Sequence, residues 1–435
     1  MSPYKRDWHA GIATPRGEGS YSSPEVGHPS GSRGYDVDSA NSQNSSSTMN
    51  GITGTVSPTF PLPISIYVVK IASRCNLNCD YCYMYNLGDG TWKNQPKRMS
   101  NVTITKLINK INNHITRHNQ NNIVIIFHGG EPLLAGRECI RFFVTEMRQG
   151  IINDCSIAFR LQTNGVLLTP EMIDFLRGLE IGIGISLDGP KYVHDRSRRD
   201  HAGNGSHDRV VSGIKNAMAV NDRAFFNGVL SVIDVQTDPI EMFAYFRSLG
   251  VGSVDFLLPD ITWDTAPASM LVQDRAIYAD WLIKMFDTWL DEGDATFSIR
   301  LFEILMNRIL GGDAKIDALG GGTNNVVVVE TDGSLEPVDV LKACGEGITK
   351  TNVNVENNEI DDIFESELVR RYVGGAEFLC EKCSYCEVKG VCGGGYLPHR
   401  FRSENGFDNE SVYCRDLEKL IRHIKARLVA ELQKR

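Results

Sequence analysis

Cys75, Cys79 and Cys82 form a C-x3-C-x2-C array within Ile71-Ala-Ser-Arg-Cys-Asn-Leu-Asn-Cys-Asp-Tyr-Cys-Tyr83. Thiolates are soft ligands that suit zinc or iron, and three this close can wrap one face of a metal cluster. A closed structural zinc site needs four ligands, and a simple iron–sulfur ferredoxin site needs four cysteines. Three leave one coordination position open, which points to chemistry at that position. A second group, Cys383-x2-Cys386-x5-Cys392 with the distant Cys414, offers four thiolates. Its spacing leaves zinc and iron–sulfur both open. Cys344 and Cys380 lie in the same C-terminal stretch.

The elements that position these groups follow from periodicity. The apolar run Ile64–Ile71 before the first array reads as a buried strand. Candidate strands are Ser65–Ala72, Ile123–Phe127, Ser156–Leu161, Ile181–Ser186, Gly228–Ile233 and Val254–Leu258. Candidate helices are Thr103–Arg117, Arg137–Ile151, Pro170–Gly178, Asp208–Val220, Pro239–Ser248 and Gln273–Leu290. Alternation at this spacing predicts a parallel sheet with crossover helices, and six βα units predict an open partial barrel. Sites in such sheets sit at the C-terminal strand ends. The second candidate strand runs into Phe127-His-Gly-Gly-Glu-Pro132, where glycines permit close backbone approach and Glu131 supplies an anion. The third runs into Gln162-Thr-Asn-Gly165. The fourth carries Ser186 and Asp188 on one face and leads to the basic His194-Asp-Arg-Ser-Arg-Arg199.

Composition narrows the class. The chain has 435 residues, is 42% hydrophobic and carries a net charge of −9, which argues against a broad nucleic-acid footprint. No apolar run approaches the length of a membrane span, and no secretory h-region is present. The cysteines, eleven in all, mostly fall in two clusters, which reads as metal ligation in reducing, cytoplasmic surroundings. Residues 1–58 are rich in Gly, Ser, Pro and Asn without an apolar period and read as a disordered tail. Thr331-Asp-Gly-Ser334 joins two short apolar runs as a hairpin turn. Asp416–Lys434 reads as a basic amphipathic helix capping the barrel.

The array C-x3-C-x-aromatic-C after a first strand resembles the radical S-adenosylmethionine (SAM) superfamily. The resemblance implies that Cys75, Cys79 and Cys82 hold a [4Fe–4S] cluster whose fourth iron binds SAM, and that cluster reduction yields a 5′-deoxyadenosyl radical. It implies that Gly129, Gly130, Glu131 and Pro132 form the GGEP element at the SAM ammonium group. Ser186 would meet the SAM ribose or carboxylate, Asp188 the cavity wall, and Arg198 the SAM carboxylate. The C-terminal cysteines resemble a SPASM extension, with Cys383, Cys386, Cys392 and Cys414 holding an auxiliary [4Fe–4S] cluster. A full SPASM pattern has a cysteine where this chain has Tyr396. Only Cys344 and Cys380 then remain for an inner cluster, which either uses other ligands and an open iron or is absent.

The stretch Gly393-Gly-Gly-Tyr-Leu-Pro-His-Arg400 through Tyr413-Cys414, with Thr331–Val340, is similar to SPASM maturases that form cyclophanes in ribosomally made peptides. The expectation is a partial (β/α)6 TIM-like barrel over residues 59–310 and an auxiliary-cluster domain over 311–435. The implied reaction removes a Cβ hydrogen and joins that carbon to an aromatic ring. A base must then take the ring proton, and Asp188, Glu336, Asp339 and His399 are candidates by type. Implied partners are a precursor peptide, a reductant such as flavodoxin or ferredoxin, and a separate leader-binding protein. Formylglycine or thioether formation is the rival oxidation, and a non-catalytic zinc-binding interaction protein is the rival from another class.

Overall fold

A computed structural model describes residues 60–152, 154–271, 275–314, 316, 318–320 and 324–434. The tail expected over 1–58 lies outside the described residues. One nine-stranded sheet organises the rest, in the order β7-β6-β5-β4-β3-β2-β1-β8-β9. The strands are β1 Ile66–Ala72, β2 Asn122–Gly129, β3 Ser156–Thr163, β4 Ile181–Ser186, β5 Phe226–Val232, β6 Ser253–Leu257, β7 Ser298–Ile299, β8 Val326–Val329 and β9 Leu335–Glu336. All neighbouring pairs are parallel except the β8–β9 hairpin. The first six strands follow one another in sheet order, as right-handed crossover units do. The sheet stays open, with β7 and β9 at its edges.

Helices α1 Asn101–His118, α2 Arg137–Gly150 and α3 Pro170–Gly178 form the first crossovers. Next come α4 Lys191–Ser197, α5 His207–Met218 and α6 Pro239–Leu249. Local chemistry sets their starts. The side chains of Ser100, Thr169 and Asp238 accept from Thr103, Met172 and Ile240 backbone N–H groups. Pro170 and Pro239 occupy first turns, where no N–H is needed. The short α4 takes in the start of the basic run His194–Arg199, where the sequence reading proposes no helix. Three further helices are α7 Ile277–Glu292, α8 Arg300–Ile309 and α9 Cys414–Gln433.

Burial alternates along the strands. In β2, Ile123, Ile125 and Phe127 are buried while Val124, Ile126 and His128 are half-buried. In β3, Phe159, Leu161 and Thr163 alternate likewise with Arg160 and Gln162. A period of two means that one face is sealed and the other lines an accessible space. The sealed face packs on helices: Phe127 meets Phe143 of α2, and Phe256 of β6 meets Phe246 of α6 and Trp281 of α7. Asp255, next to Phe256, and Lys70, His128, Arg160, Gln162 and Ser186 occupy the opposite face.

The boundary expected near residue 310 does not interrupt the sheet, because β8 pairs with β1 from Ile66↔Val326 to Val69↔Val329. The Asp-Gly turn is formed, with Gly333 at φ 86°. The C-terminal helix covers the barrel wall as expected. Leu417, Leu420, Ile421 and Ile424 are buried, and Arg427 pairs with Asp291 of α7 at 2.6 Å.

At the far end of α1, His114, His118 and Asp361 draw three potential metal ligands together. The backbone N–H of Ile64, however, donates to His114 Nε2 at 2.9 Å. That nitrogen must be the acceptor, so Nδ1 carries the proton of the neutral ring. The protonated Nδ1 faces Asp361 Oδ1 at 2.8 Å, which makes the group a clamp between α1 and the C-terminal half.

Candidate active site

The three-cysteine loop leaves the C-terminal end of β1 and folds back on itself. Cys82 N–H donates to the Cys79 carbonyl at 3.1 Å, and Asn86 N–H to the Cys82 carbonyl at 2.8 Å. Leu77 N–H and Asn164 Nδ2 approach Cys75 Sγ at 3.4 and 3.7 Å, donors of the kind that steady a thiolate. Burial pushes the Cys75 thiol up to about 12, with Glu131, Cys79 and Cys82 adding repulsion. Burial pushes Cys82 up to about 11. Buried thiols that repel one another ionise when a cation holds them, so the loop fits an iron cluster. All eleven cysteines are free of disulfides.

Gly129 and Gly130 are packed against the root of this loop. A Cβ on Gly129 would lie 2.0 Å from the Ala72 carbonyl oxygen, and one on Gly130 would lie 1.9 Å from Tyr85 Oη and 2.6 Å from the Arg74 backbone. Gly130 and Glu131 N–H groups donate to the Ala72 and Arg74 carbonyls at 3.1 and 3.0 Å. The close approach that the glycines permit is therefore made by the chain itself. Glu131 is fully buried, and its carboxylate takes three donors: Leu133 N–H at 3.1 Å, Thr163 Oγ1 at 2.8 Å and Asn164 N–H at 2.9 Å. It ties the end of β2 to the end of β3. Burial raises its pKa to about 7 despite those donors. Pro132 opens the short helical turn that follows.

Ser186, at the end of β4, receives Gln162 Nε2 at 3.1 Å. Asp188 lies just beyond it. Arg198 Nε donates to Asp188 Oδ2 at 2.8 Å, Tyr81 Oη donates to the same oxygen, and Val232 N–H donates to Oδ1 at 3.1 Å. Arg198 also lies over the Tyr81 ring at 5.4 Å, which sets it beside the cysteine loop. It uses Nε on Asp188, which leaves the Nη edge of its planar fork for an anionic ligand.

Glu336 and Asp339, which the sequence offers as base candidates, belong to a buried charge network whose lysines the sequence reading does not include. Lys70 Nζ lies 3.5 Å from Asp339 and donates to Met84 Sδ at 3.1 Å. Lys342 Nζ lies 3.2 Å from Glu330 and 2.9 Å from Glu336. His128 Nδ1 stands 3.5 Å from Asp339, and Tyr83 Oη donates to Asp339 at 3.1 Å. Burial alone would raise both carboxylates. Lys342, Lys70 and Lys350 outweigh it at Glu336 and hold it down to about 2, and Lys70, His128 and Tyr83 lower Asp339. A lysine within the apolar strand Ile66–Ala72 was the signal for this network. Tyr81 is the aromatic of the C-x-aromatic-C array and Asn164 lies in the segment Gln162–Gly165, but spacing names no partner for either.

Cys383, Cys386, Cys392 and Cys414 line one cavity, together with Gly394 and Ser411. Burial pushes the Cys383 and Cys392 thiols up to about 12, with neighbouring thiols adding repulsion. Among the described residues no three of these sulfurs come within 4.8 Å of one another. A tetrahedral zinc with bonds of about 2.3 Å would draw its thiolates closer, so the spread suits a larger cluster. Cys380 lies beside Cys383. Cys344 lies elsewhere, its Sγ 3.8 Å from the Pro398 carbonyl, where burial and then Asp260 and Asp264 push its thiol up. Tyr396 is buried against His399, with ring centroids 5.3 Å apart, and His399 meets Tyr413 at 4.8 Å. Tyr413 Oη donates to the Pro259 carbonyl at 2.9 Å, so this aromatic wall stands at the end of β6. His399 is buried, its Nε2 has no hydrogen-bond partner among the described residues, and burial pushes the ring down to about 3.

Residues 69–243 match the radical SAM superfamily model. The cysteine-type anaerobic sulfatase-maturating enzyme of Clostridium novyi (strain NT) is 25% identical over 361 residues, covering 81% of this chain and 92% of that protein. That of Clostridium perfringens (strain 13 / Type A) is 25% identical over 375 residues, covering 84% and 98%. The solved structure of native anSMEcpe with bound AdoMet superposes with a TM-score of 0.70 at 23% identity, over 84% of this chain and 98% of that one. The same fold is seen in anSMEcpe with bound AdoMet and Cp18Cys peptide. The zinc-binding interaction protein is thereby set aside. SAM and a [4Fe–4S] cluster are the cofactors, the thiol loop of residues 75–82 suits the cluster, and this chain is an enzyme whose residues 69–243 match the radical SAM superfamily.

Proposed function

We propose that the enzyme oxidises a peptide by removing a Cβ hydrogen and joining that carbon to an aromatic ring of the same peptide. The observation that carries this reading is the segment Gly393–Cys414. Its resemblance to cyclophane-forming maturases coincides with a buried wall of Tyr396, His399 and Tyr413 at the barrel mouth. These rings pack on one another and set the shape of the segment from within. The bound SAM and its cluster supply the hydrogen-abstracting radical, which side chains cannot.

The chain's residues do the rest. Cys75, Cys79 and Cys82 hold the cluster, and Ser186 and Arg198 orient SAM. Cross-linking removes one further electron and the ring proton. The four thiolates Cys383, Cys386, Cys392 and Cys414 would hold an auxiliary cluster to accept the electron, with a flavodoxin- or ferredoxin-type reductant serving the first. Cys380 flanks that set, and Cys344 stands apart from it.

Of the four base candidates, Asp339 fits best. Asp188 is engaged by Arg198, Tyr81 and Val232. Glu336 is held by Lys342 and Thr349 at 2.9 and 2.7 Å. His399 is driven neutral and weakly basic by burial. Asp339 is held too, by Lys70 at 3.5 Å, and is preferred because Tyr83, next to Cys82, and His128 set it beside the cysteine loop.

Formylglycine formation is the second reading, favoured by the sulfatase-maturating relatives. Both readings oxidise a peptide by two electrons, and mass spectrometry of a co-expressed peptide separates them. The short open reading frame nearest the gene would be expressed with and without the enzyme. Loss of two hydrogens with fragmentation blocked inside an aromatic-containing tripeptide supports the cross-link. A serine that loses two hydrogens, or a cysteine converted to an aldehyde, with a complete fragment ladder overturns it.

A further inference from the structure

His194 sits within α4, between the two residues of the Asp188–Arg198 pair, and is 0% exposed. The Asp188 backbone N–H donates to His194 Nδ1 at 3.3 Å. A neutral imidazole that accepts at Nδ1 carries its proton at Nε2. That nitrogen lies 2.9 Å from Ser206 Oγ, which the polarity makes the acceptor. The Ser206 hydroxyl then donates to the Arg198 carbonyl at 2.8 Å. The chain of hydrogen bonds thus runs in one direction, from the Asp188 amide through His194 and Ser206 to the Arg198 carbonyl. Burial, and then the Arg198 cation, push the imidazole down to about 4, so it is neutral near pH 7 as this polarity requires.

The clamp has a clear mechanical purpose. A helix of seven residues has little stability of its own. Without outside support, the separation of Asp188 and Arg198 at its two ends would be loosely defined. His194 takes hold of the entry to α4, and Ser206, the residue before α5, takes hold of its exit. Both groups are fully buried, so the hydrogen bonds face no competition from water.

We infer that His194 and Ser206 are positioning residues for SAM binding, acting through the backbone at Asp188 and Arg198 to set the guanidinium that receives the SAM carboxylate. This rests on the proposed role of Arg198. Neither residue touches SAM in this scheme.

The test is equilibrium binding of SAM to the full-length, anaerobically reconstituted enzyme, with iron and sulfide content measured alongside. His194→Ala is expected to weaken SAM binding by about tenfold, the scale of one lost buried hydrogen bond, with iron and sulfide content unchanged. His194→Asn, whose Oδ1 can still accept from Asp188, should recover part of the loss, and Ser206→Ala should lose a few-fold. The double variant His194→Ala/Arg198→Ala should bind no more weakly than Arg198→Ala alone, because the effect passes through Arg198. Wild-type affinity in His194→Ala, with Arg198→Ala impaired, overturns the positioning role. Wild-type affinity in Arg198→Ala overturns the underlying assignment of Arg198 instead. Multiplicative losses in the double variant show that His194 acts by another route and also overturn the inference. Should His194→Ala not fold, Ser206→Ala at wild-type affinity is the overturning result.

Discussion

Lys70 Nζ and Glu330 Oε1 lie 2.8 Å apart in the core, although 260 residues separate them in the chain. The pair joins β1, which delivers the cysteine loop, to the residue that follows β8. Asp339 and Lys342 extend it into a buried network of alternating charge.

Removing the centre of that network should be costly. Lys70→Ala takes the lysine from Asp339 and leaves Glu330 with Lys342 alone, and breaking a buried pair by removing one partner typically costs about 3–5 kcal/mol. Thermal unfolding should show a clear loss of stability, and adding Glu330→Gln should recover part of it by removing one negative charge from a network that has lost a cation. Equal midpoints for wild type and Lys70→Ala would contradict the pairing.

Asp339→Asn keeps the shape of the side chain and removes its basicity. The variant should still form 5′-deoxyadenosine while cross-linked product falls by a factor of about 100 or more, the usual scale for a general base. High-performance liquid chromatography of both products separates the two steps. Full product formation would move the base assignment to another residue.

The two thiolate sets should be separable by metal content. Replacing Cys75, Cys79 and Cys82 together with alanine should abolish SAM cleavage while the C-terminal iron stays. Replacing Cys383, Cys386, Cys392 and Cys414 should do the opposite for iron and leave 5′-deoxyadenosine formation in place. SAM cleavage by the first variant would exclude the loop as the cluster site.

Gly130→Ala should fail for a steric reason. Its Cβ would overlap Tyr85 Oη and the Arg74 backbone, which carries the chain into the cysteine loop. The variant is expected to fold around a displaced loop and to lose the cluster absorbance near the visible charge-transfer region, even though no ligand group has been removed. A normal iron content would show that the loop tolerates the shift.

Stability should fall in acid. Burial pushes His114 and His194 down to about 4 and His399 to about 3. The unfolded chain binds a proton at each of them near 6.5, before the folded chain does, so unfolding takes up protons as pH drops. Their contribution is full above about pH 6.5 and is lost progressively toward pH 4. Glu131, raised to about 7, opposes this trend between about pH 4.5 and 7. Unfolding midpoints measured from pH 7.5 to 4.5 should decline, and His114→Gln should flatten the slope.

The sequence by itself determined the elements and the chemistry they carry. The period-two runs and the capped amphipathic stretches were legible because strand alternation and helix capping are local properties. Thus Ile181–Ser186 and Pro170–Gly178 occur with the boundaries expected of them. The cysteine spacings were legible for the same reason, since Cys75–Cys82 and Cys383–Cys392 are each one short stretch. Tertiary structure alone decided what long-range contacts decide. It joined β8 to β1 across the expected domain boundary. It turned the Glu131 carboxylate onto three donors from its own chain, and used Gly129 and Gly130 to admit backbone. It built the Lys70–Glu330 pair. It also folded the basic run at His194 into a helix clamped by His194 and Ser206. Each of these depends on which groups are buried together, and burial sets whether a charge, a proton or a hydrogen bond is retained. That information lies in contacts between residues far apart in the chain, which no spacing within it can report.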